Sequence, residues 1–150
     1  MKRGRKIILF VAIVVIGVIG WITHVLYRTV THIPEAYAAW DTGTLLVEYL
    51  KTHEDHWPSS WDDLLTVLGS QAGQKIMLRG ARAGDVPYAR SLRDKVAVDW
   101  TFNVAGPEGE PPVTRLDGSA FIIVWEGAEP NEMVRSYLKE RASTQPSPRQ

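Results

Sequence analysis

Residues 7–26, IILFVAIVVIGVIGWITHVL, decide how the rest of the chain is read. From Ile7 to Ile22 every residue is apolar or glycine, and Thr23 to Leu26 carries the run to about 20 residues. At a rise of about 1.5 Å per residue, a helix of that length spans roughly the 30 Å hydrocarbon core of a bilayer. Trp21 and Tyr27 stand near its far end, where indole and phenol rings favour the headgroup layer. Lys2, Arg3, Arg5 and Lys6 precede it with no acid nearby, and such a cluster stays on the cytoplasmic side. The sequence therefore predicts a cytoplasmic basic segment over 1–6 and a single-pass anchor over 7–27 in the cell (inner) membrane. An extracytoplasmic domain then follows over 28–142. A cleaved signal peptide is the competing reading, but the run exceeds the usual apolar length and no A-x-A-like site follows it. His24, an ionisable group at the outer end of the span, falls at interface depth, where water reaches it.

Composition limits what the outer part can do. A chain of 150 residues holds one small domain and its appendages. The formal net charge is zero, yet setting aside the four basic residues of the N-terminus leaves thirteen bases against seventeen acids, about −4. A mildly acidic domain lacks the clustered positive face that nucleic acid requires, so no nucleic-acid partner is expected. With no cysteine, disulfides, thiolate catalysis and cysteine-ligated zinc are excluded.

Outside the anchor the pattern predicts an α+β domain. Ile33-Pro34 reads as a break or kink, because proline lacks a helix donor and restricts its predecessor. From about Glu35 to His53, Ala36, Ala39, Gly43, Leu46 and Leu50 recur at steps of three and four. This predicts an amphipathic helix with one face to bury, Asp41 lying off that face and the small residues admitting another backbone. Ser59 or Ser60 then caps a short helix whose Trp61, Leu64, Leu65 and Leu68 face inward, with Gly69 as its stop. Residues 70–95 show no clear period; 74–78 read as a strand or a helical turn. Val96 to Ala105 alternate with a period of two, as a half-buried strand does. After a loop over 106–112, Val113 to Leu116 passes through Asp117-Gly118, a hairpin signal, into Ala120 to Trp125. That last run is apolar on both faces and is predicted to be a central strand. A final helix buries Met133, Val134, Tyr137 and Leu138, and the tail over 143–150 is predicted to be disordered. The fold expected is thus an anchor, an amphipathic helix, a small antiparallel sheet packed on it and a C-terminal helix.

The search for chemistry yields no catalytic, cofactor or metal residue to nominate. His53-Glu54-Asp55-His56 gathers two imidazoles and two carboxylates, but zinc needs three or four convergent ligands, and a hydrated helix end explains the run. Glu108, Glu110 and Asp117 fit no calcium-loop spacing. Asp62-Asp63 are adjacent on a helix, about 100° apart, and suit its first turn. No nucleophile elbow and no phosphate-binding glycine loop is present. Trp40, Trp61, Trp100 and Trp125 fall on apolar faces and read as packing residues. Acids gather between Glu35 and Asp63 and bases between Lys75 and Lys95, two stretches that neutralise each other within one subunit or meet a neighbour's.

One family shares this order of elements. Leu46-Val47-Glu48-Tyr49-Leu50, His53, Trp57-Pro58, Trp61 and Asp63-Leu64, following a basic start and an apolar helix, resemble the type IV pilin superfamily. The likeness is chiefly to the major pseudopilins of type II secretion. It runs in order over residues 1–68 and extends to the β-rich remainder only in kind. It implies a non-enzymatic role in assembly or secretion, with self-association or pilin-like partners beside the lipid bilayer, and no cofactor. Two family features are absent. Gly4 is followed by Arg5-Lys6-Ile7 in place of the processing site's phenylalanine-rich start, and the apolar segment holds no glutamate. The resemblance therefore implies a pilin-like protein that keeps its anchor. The other reading is a membrane-tethered extracytoplasmic binding module unrelated to filaments.

Overall fold

The computed structural model describes residues 2–70, 75–81, 85–106 and 108–144. Helix α1 runs Lys2–Thr52, and two short helices follow, α2 (Trp61–Leu65) and α3 (Val86–Ser91). Strands β1 (Val96–Val98) and β2 (Val113–Arg115) and helix α4 (Pro130–Thr144) complete an α+β order. The chain divides into two compact units, Met1–Ile33 and Pro34–Gln150. The break expected at Ile33-Pro34 is a boundary between units and not a helix end. Pro34 lies inside α1, since a proline removes one donor without ending every helix.

In the first unit the described large apolar side chains stand open. Phe10, Ile16, Ile19, Trp21 and Tyr27 are all exposed, and this helix is long and apolar enough to cross a membrane. Its hydroxyls are satisfied internally: Thr23 donates to Ile19 O at 2.8 Å and Thr29 to Val25 O at 3.0 Å. Such back-bonding removes the cost of placing a hydroxyl in a low-dielectric medium.

In the second unit the last third of α1 is the central element. None of residues 36–50 is exposed. The expectation of a single buried face is therefore corrected: Ala38, Leu45 and Tyr49 are buried as well as Ala39, Leu46 and Leu50. Leu64 and Val67, Leu78, Ala89 and Leu92, Val96 and Val113, and Val134 and Leu138 complete the core around it. The small residues do admit another backbone, and it is the chain's own. A Cβ at Gly43 would stand 2.9 Å from Pro130 Cα and from Met133 Sδ, so α4 begins directly against α1. At the far end α1 closes with Asp55 N–H donating to Leu50 O at 2.9 Å, the long bond of a Schellman cap. Glu54 and Asp55 both take positive φ there (52° and 64°), a conformation usually left to glycine.

The short helices follow their caps. Ser60 Oγ accepts from Asp63 N–H at 3.1 Å, as the serine pair predicts. In the stretch that showed no period, Asp85 Oδ1 accepts from Tyr88 N–H at 3.0 Å and Pro87 occupies the first turn of α3. Six residues are too few for a 3.6-residue period to show. Gln74, Arg82, Pro107 and the tail over 145–150 lie outside the described residues, while α4 continues to Thr144, past the predicted start of that tail.

The sheet is smaller than predicted. β1 and β2 pair antiparallel, Val96 opposite Arg115, Ala97 opposite Thr114 and Val98 opposite Val113. The strand expected to run to Ala105 stops at Val98. Asp99 then turns the chain, its Oδ1 accepting from Thr101 N–H (2.8 Å) and Oγ (2.7 Å), and Asn103 Oδ1 accepts from Ala105 N–H at 3.0 Å. The Asp117-Gly118 turn forms, with Gly118 at φ 79° and Arg115 N–H bonded to Ser119 O at 3.0 Å. Beyond that bond no strand follows. Residues 120–125 are irregular, and the predicted central strand is instead largely exposed. The polar knot of Arg115, Asp117 and Ser119 ends the pairing at its first rung: Asp117 Oδ1 accepts from both Ser119 N–H and Oγ.

A buried side chain replaces the missing rung on β2. Asn131 Oδ1 accepts from Val113 N–H at 2.8 Å while its Nδ2 donates to Val113 O at 2.9 Å. The amide thus pairs with β2 as a neighbouring strand would, and fixes the start of α4 to the sheet.

Candidate functional site

Asp41 is the one fully buried carboxylate in the described core, with relative exposure 0%. Its Oδ1 accepts from Arg79 N–H at 2.6 Å, and its Oδ2 accepts from Gly80 N–H at 2.9 Å and from Tyr88 Oη at 2.8 Å. The Arg79 guanidinium lies 4.7 Å from the Trp40 ring centre. Burial, reinforced by the hydrogen bond to Asp41, drives the Tyr88 phenol well above its ordinary range. Gly80 is required at this point, because a Cβ would fall 1.9 Å from Tyr88 Oη. Two backbone donors and one phenol leave the carboxylate occluded, so it clamps Arg79, Gly80 and Tyr88 onto α1 and reaches no solute. Sequence reading placed Asp41 off the buried face. The available signal was its position three residues after Ala38 and four before Leu45, both wholly buried.

The second cluster is the helix end that sequence analysis weighed as a metal site. Its four side chains diverge. His53 stacks flat on Tyr49, ring centres 3.9 Å apart, with Nδ1 beside Tyr49 O (3.0 Å) and Thr52 Oγ1 (2.9 Å). His56 Nδ1 meets His53 O at 2.8 Å, and Glu54 is exposed. Asp55 turns to α4, accepting from Tyr137 Oη at 2.7 Å and from Arg141 Nε at 3.1 Å. Those donors, Tyr137 first, hold the Asp55 carboxyl below its usual range; burial and the same bond push the Tyr137 phenol up to about 12. A shallow cleft of about 340 Å³ opens beside this pair, lined by Asp55, Val104, Leu138 and Arg141. Among the described residues no group of three or more His, Cys, Asp or Glu side chains is arranged to hold a metal ion.

The other weighed residues are placed separately. Asp63 accepts from Ser59 N–H (2.8 Å) and Oγ (3.0 Å) and from Tyr49 Oη (2.9 Å), while Asp62 is exposed. These bonds, the Ser59 backbone first, lower the Asp63 carboxyl, and burial with the Asp63 contact raises Tyr49 to about 12. Glu108 and Glu110 are exposed, and Asp117 is taken up by the turn at Ser119. Trp57 donates to Asp99 O at 2.8 Å and packs on Phe102, and Trp61 meets Trp100 edge to face at 5.5 Å. These rings brace α2 against the turns after β1. Trp125 departs from the packing role predicted for it: it is exposed, with Tyr37 at 6.0 Å. Two acids of the 35–63 stretch find cations elsewhere in the domain, Glu35 with Arg115 and Asp55 with Arg141, while Glu48 pairs with Lys51 one helical turn away in the same stretch.

Comparison with known protein families, characterised proteins and solved structures finds no match to this chain.

Proposed function

We propose that this chain is a single-pass membrane protein whose extracytoplasmic domain acts by association, in a pilin-like or secretion-linked assembly, without enzymatic chemistry. The observation that carries the reading is the division of labour along α1. Its first part presents exposed apolar side chains among the described residues from Phe10 to Val30, and its last part is the centre of the outer domain's core. A helix of that kind is an anchor at one end and a scaffold at the other, the organisation implied by the resemblance of residues 1–68 to pilin-like proteins. The four basic residues before Ile7 orient it N-terminus inward. Among the described residues Asp41, Asp55, Asp63 and Asp117 are engaged in the clamp, the helix end, a cap and a turn, which supports a reading in which the domain acts by complementarity with a partner.

Without a glutamate in the apolar segment, helix association rests on close van der Waals packing, and Gly17 and Gly20 are open on the surface of the anchor. A tethered binding module outside any filament is the second reading, favoured by the use of Gly43 within the domain. Single cysteines along Val14 to Gly20, and paired cysteines replacing Glu48 and Arg79, separate the two in a chain that has no native cysteine. Crosslinks to itself or to a pilin-like protein at native expression support assembly. Crosslinks to neither, in membranes that hold the protein, leave the binding module.

A further inference from the structure

We propose that the apolar segment between Leu116 and Trp125 seats on the headgroup layer of the same membrane that holds the anchor. The proposal rests on the anchor reading above. Leu116, Ile122, Val124 and Trp125 expose 59%, 50%, 40% and 40% of their surface, four large apolar side chains within ten residues that a water-facing domain has reason to cover. Its place within the outer domain identifies the cover. Trp125 packs beside Tyr37, and Arg115 at the base of the segment pairs with Glu35. Both partners lie within three residues of Pro34, where the chain enters the domain. The six residues 28–33 reach about 9 Å as helix and no more than about 20 Å fully extended. The segment is therefore held within a short tether of the bilayer, whose headgroup region is roughly 5–7 Å deep on each side.

The chemistry of the segment fixes the depth and the kind of contact. Residues 120–125 form no strand, and although Trp125 O accepts from Ala128 N–H at 2.9 Å, a segment without a ladder carries peptide groups that cannot enter hydrocarbon. The interface tolerates such a backbone while accepting Ile, Val and Trp side chains, indole above all. No lysine or arginine occurs from Leu116 to Val134, whereas Asp117, Glu126, Glu129 and Glu132 do. Contact is accordingly by apolar insertion and not by attraction to anionic lipid.

The full chain, reconstituted in phosphatidylcholine vesicles with spin-labelled lipid near the headgroup, tests this through single cysteines carrying an environment-sensitive fluorophore. Labels at Val124→Cys and Ile122→Cys are expected to be quenched by the shallow lipid spin label and to be shielded from an aqueous quencher relative to Met77→Cys. Added salt should leave that pattern unchanged. A label at Ile16→Cys reports the anchor independently. If Ile16→Cys is buried in lipid while 122 and 124 are as water-accessible as 77, this proposal fails and the anchor stands; if Ile16→Cys is itself in water, the anchor reading fails. A Val124→Cys chain that forms a disulfide with its own copy in place of lipid contact also overturns the proposal, in favour of pairing between copies.

Discussion

Replacing Asp41 by alanine removes the acceptor of three hydrogen bonds at 2.6, 2.9 and 2.8 Å from a site with no exposure. Hydrogen bonds to a charged group contribute about 1.5–3 kcal/mol each, but three that share one carboxylate do not add, and removing the charge also relieves its own desolvation. Against that relief, two backbone N–H groups and a phenol are left facing a small void. The expected net cost is about 3–5 kcal/mol, a value reached by breaking a buried network from one side. For a domain of this size that lowers Tm by roughly 10–20 °C. Asp41→Asn keeps the shape and one acceptor but sets an N–H against a donor, so it should fall between, at about 1–3 kcal/mol. Thermal unfolding of the full chain in detergent, followed by tryptophan fluorescence, measures the loss, and hydrogen exchange at Arg79 and Gly80 localises it. Asp41→Ala within about 1 kcal/mol of the parent, with unchanged exchange at those amides, would refute the clamp.

Other perturbations follow from the same contacts. Asn131→Leu leaves Val113 N–H and O without their partner and should cost about 2–4 kcal/mol in urea unfolding; a change under about 0.5 kcal/mol would mean water replaces the amide. Gly43→Val forces Pro130 and Met133 away from α1 and should destabilise by at least about 2 kcal/mol. If it alters only association in membranes, Gly43 faces another chain instead. Leu64→Ala, in the core under α2, should cost about 2–5 kcal/mol by the same assay, and an effect under about 1 kcal/mol would place the helix outside the core. For pH, the Asp63 carboxyl is lowered in the folded state, so its stabilisation is present above the unfolded carboxyl range near about 4 and is lost as pH falls through the lower folded value. Asp63→Asn should flatten stability against pH below about 4; an unchanged acid limb in a pH-resolved melt contradicts the assignment.

Much of this fold was legible because local chemistry and global packing agree at particular residues. The apolar run to Leu26, the Ser60 cap, the Asp117-Gly118 turn and the inward face of α4 each need only their neighbours to be read. Asp41 did not yield in this way, since its donors arrive from Arg79, Gly80 and Tyr88, some forty residues downstream. Helical spacing alone treats an aspartate as a solvent-facing residue unless such donors are known. The run from Ala120 to Trp125 misled for the opposite reason: its composition is that of a buried strand, but the turn at Arg115, Asp117 and Ser119 satisfies itself and ends the ladder. The His53–His56 cluster looked like ligands because adjacency in sequence hides direction. Once α1 ends with Glu54 and Asp55 at positive φ, the four side chains point apart.

The central claim is that one helix holds a folded domain outside the cytoplasm. The direct measurement is a fusion after Arg141 to a reporter active only outside the cytoplasm, combined with membrane fractionation and the intact mass of the product. An uncleaved anchor predicts reporter activity in the membrane fraction on a chain that retains its basic N-terminus. A soluble product shortened by about 20 residues would show a cleaved signal sequence instead, and an inactive reporter on a membrane-bound chain would reverse the orientation.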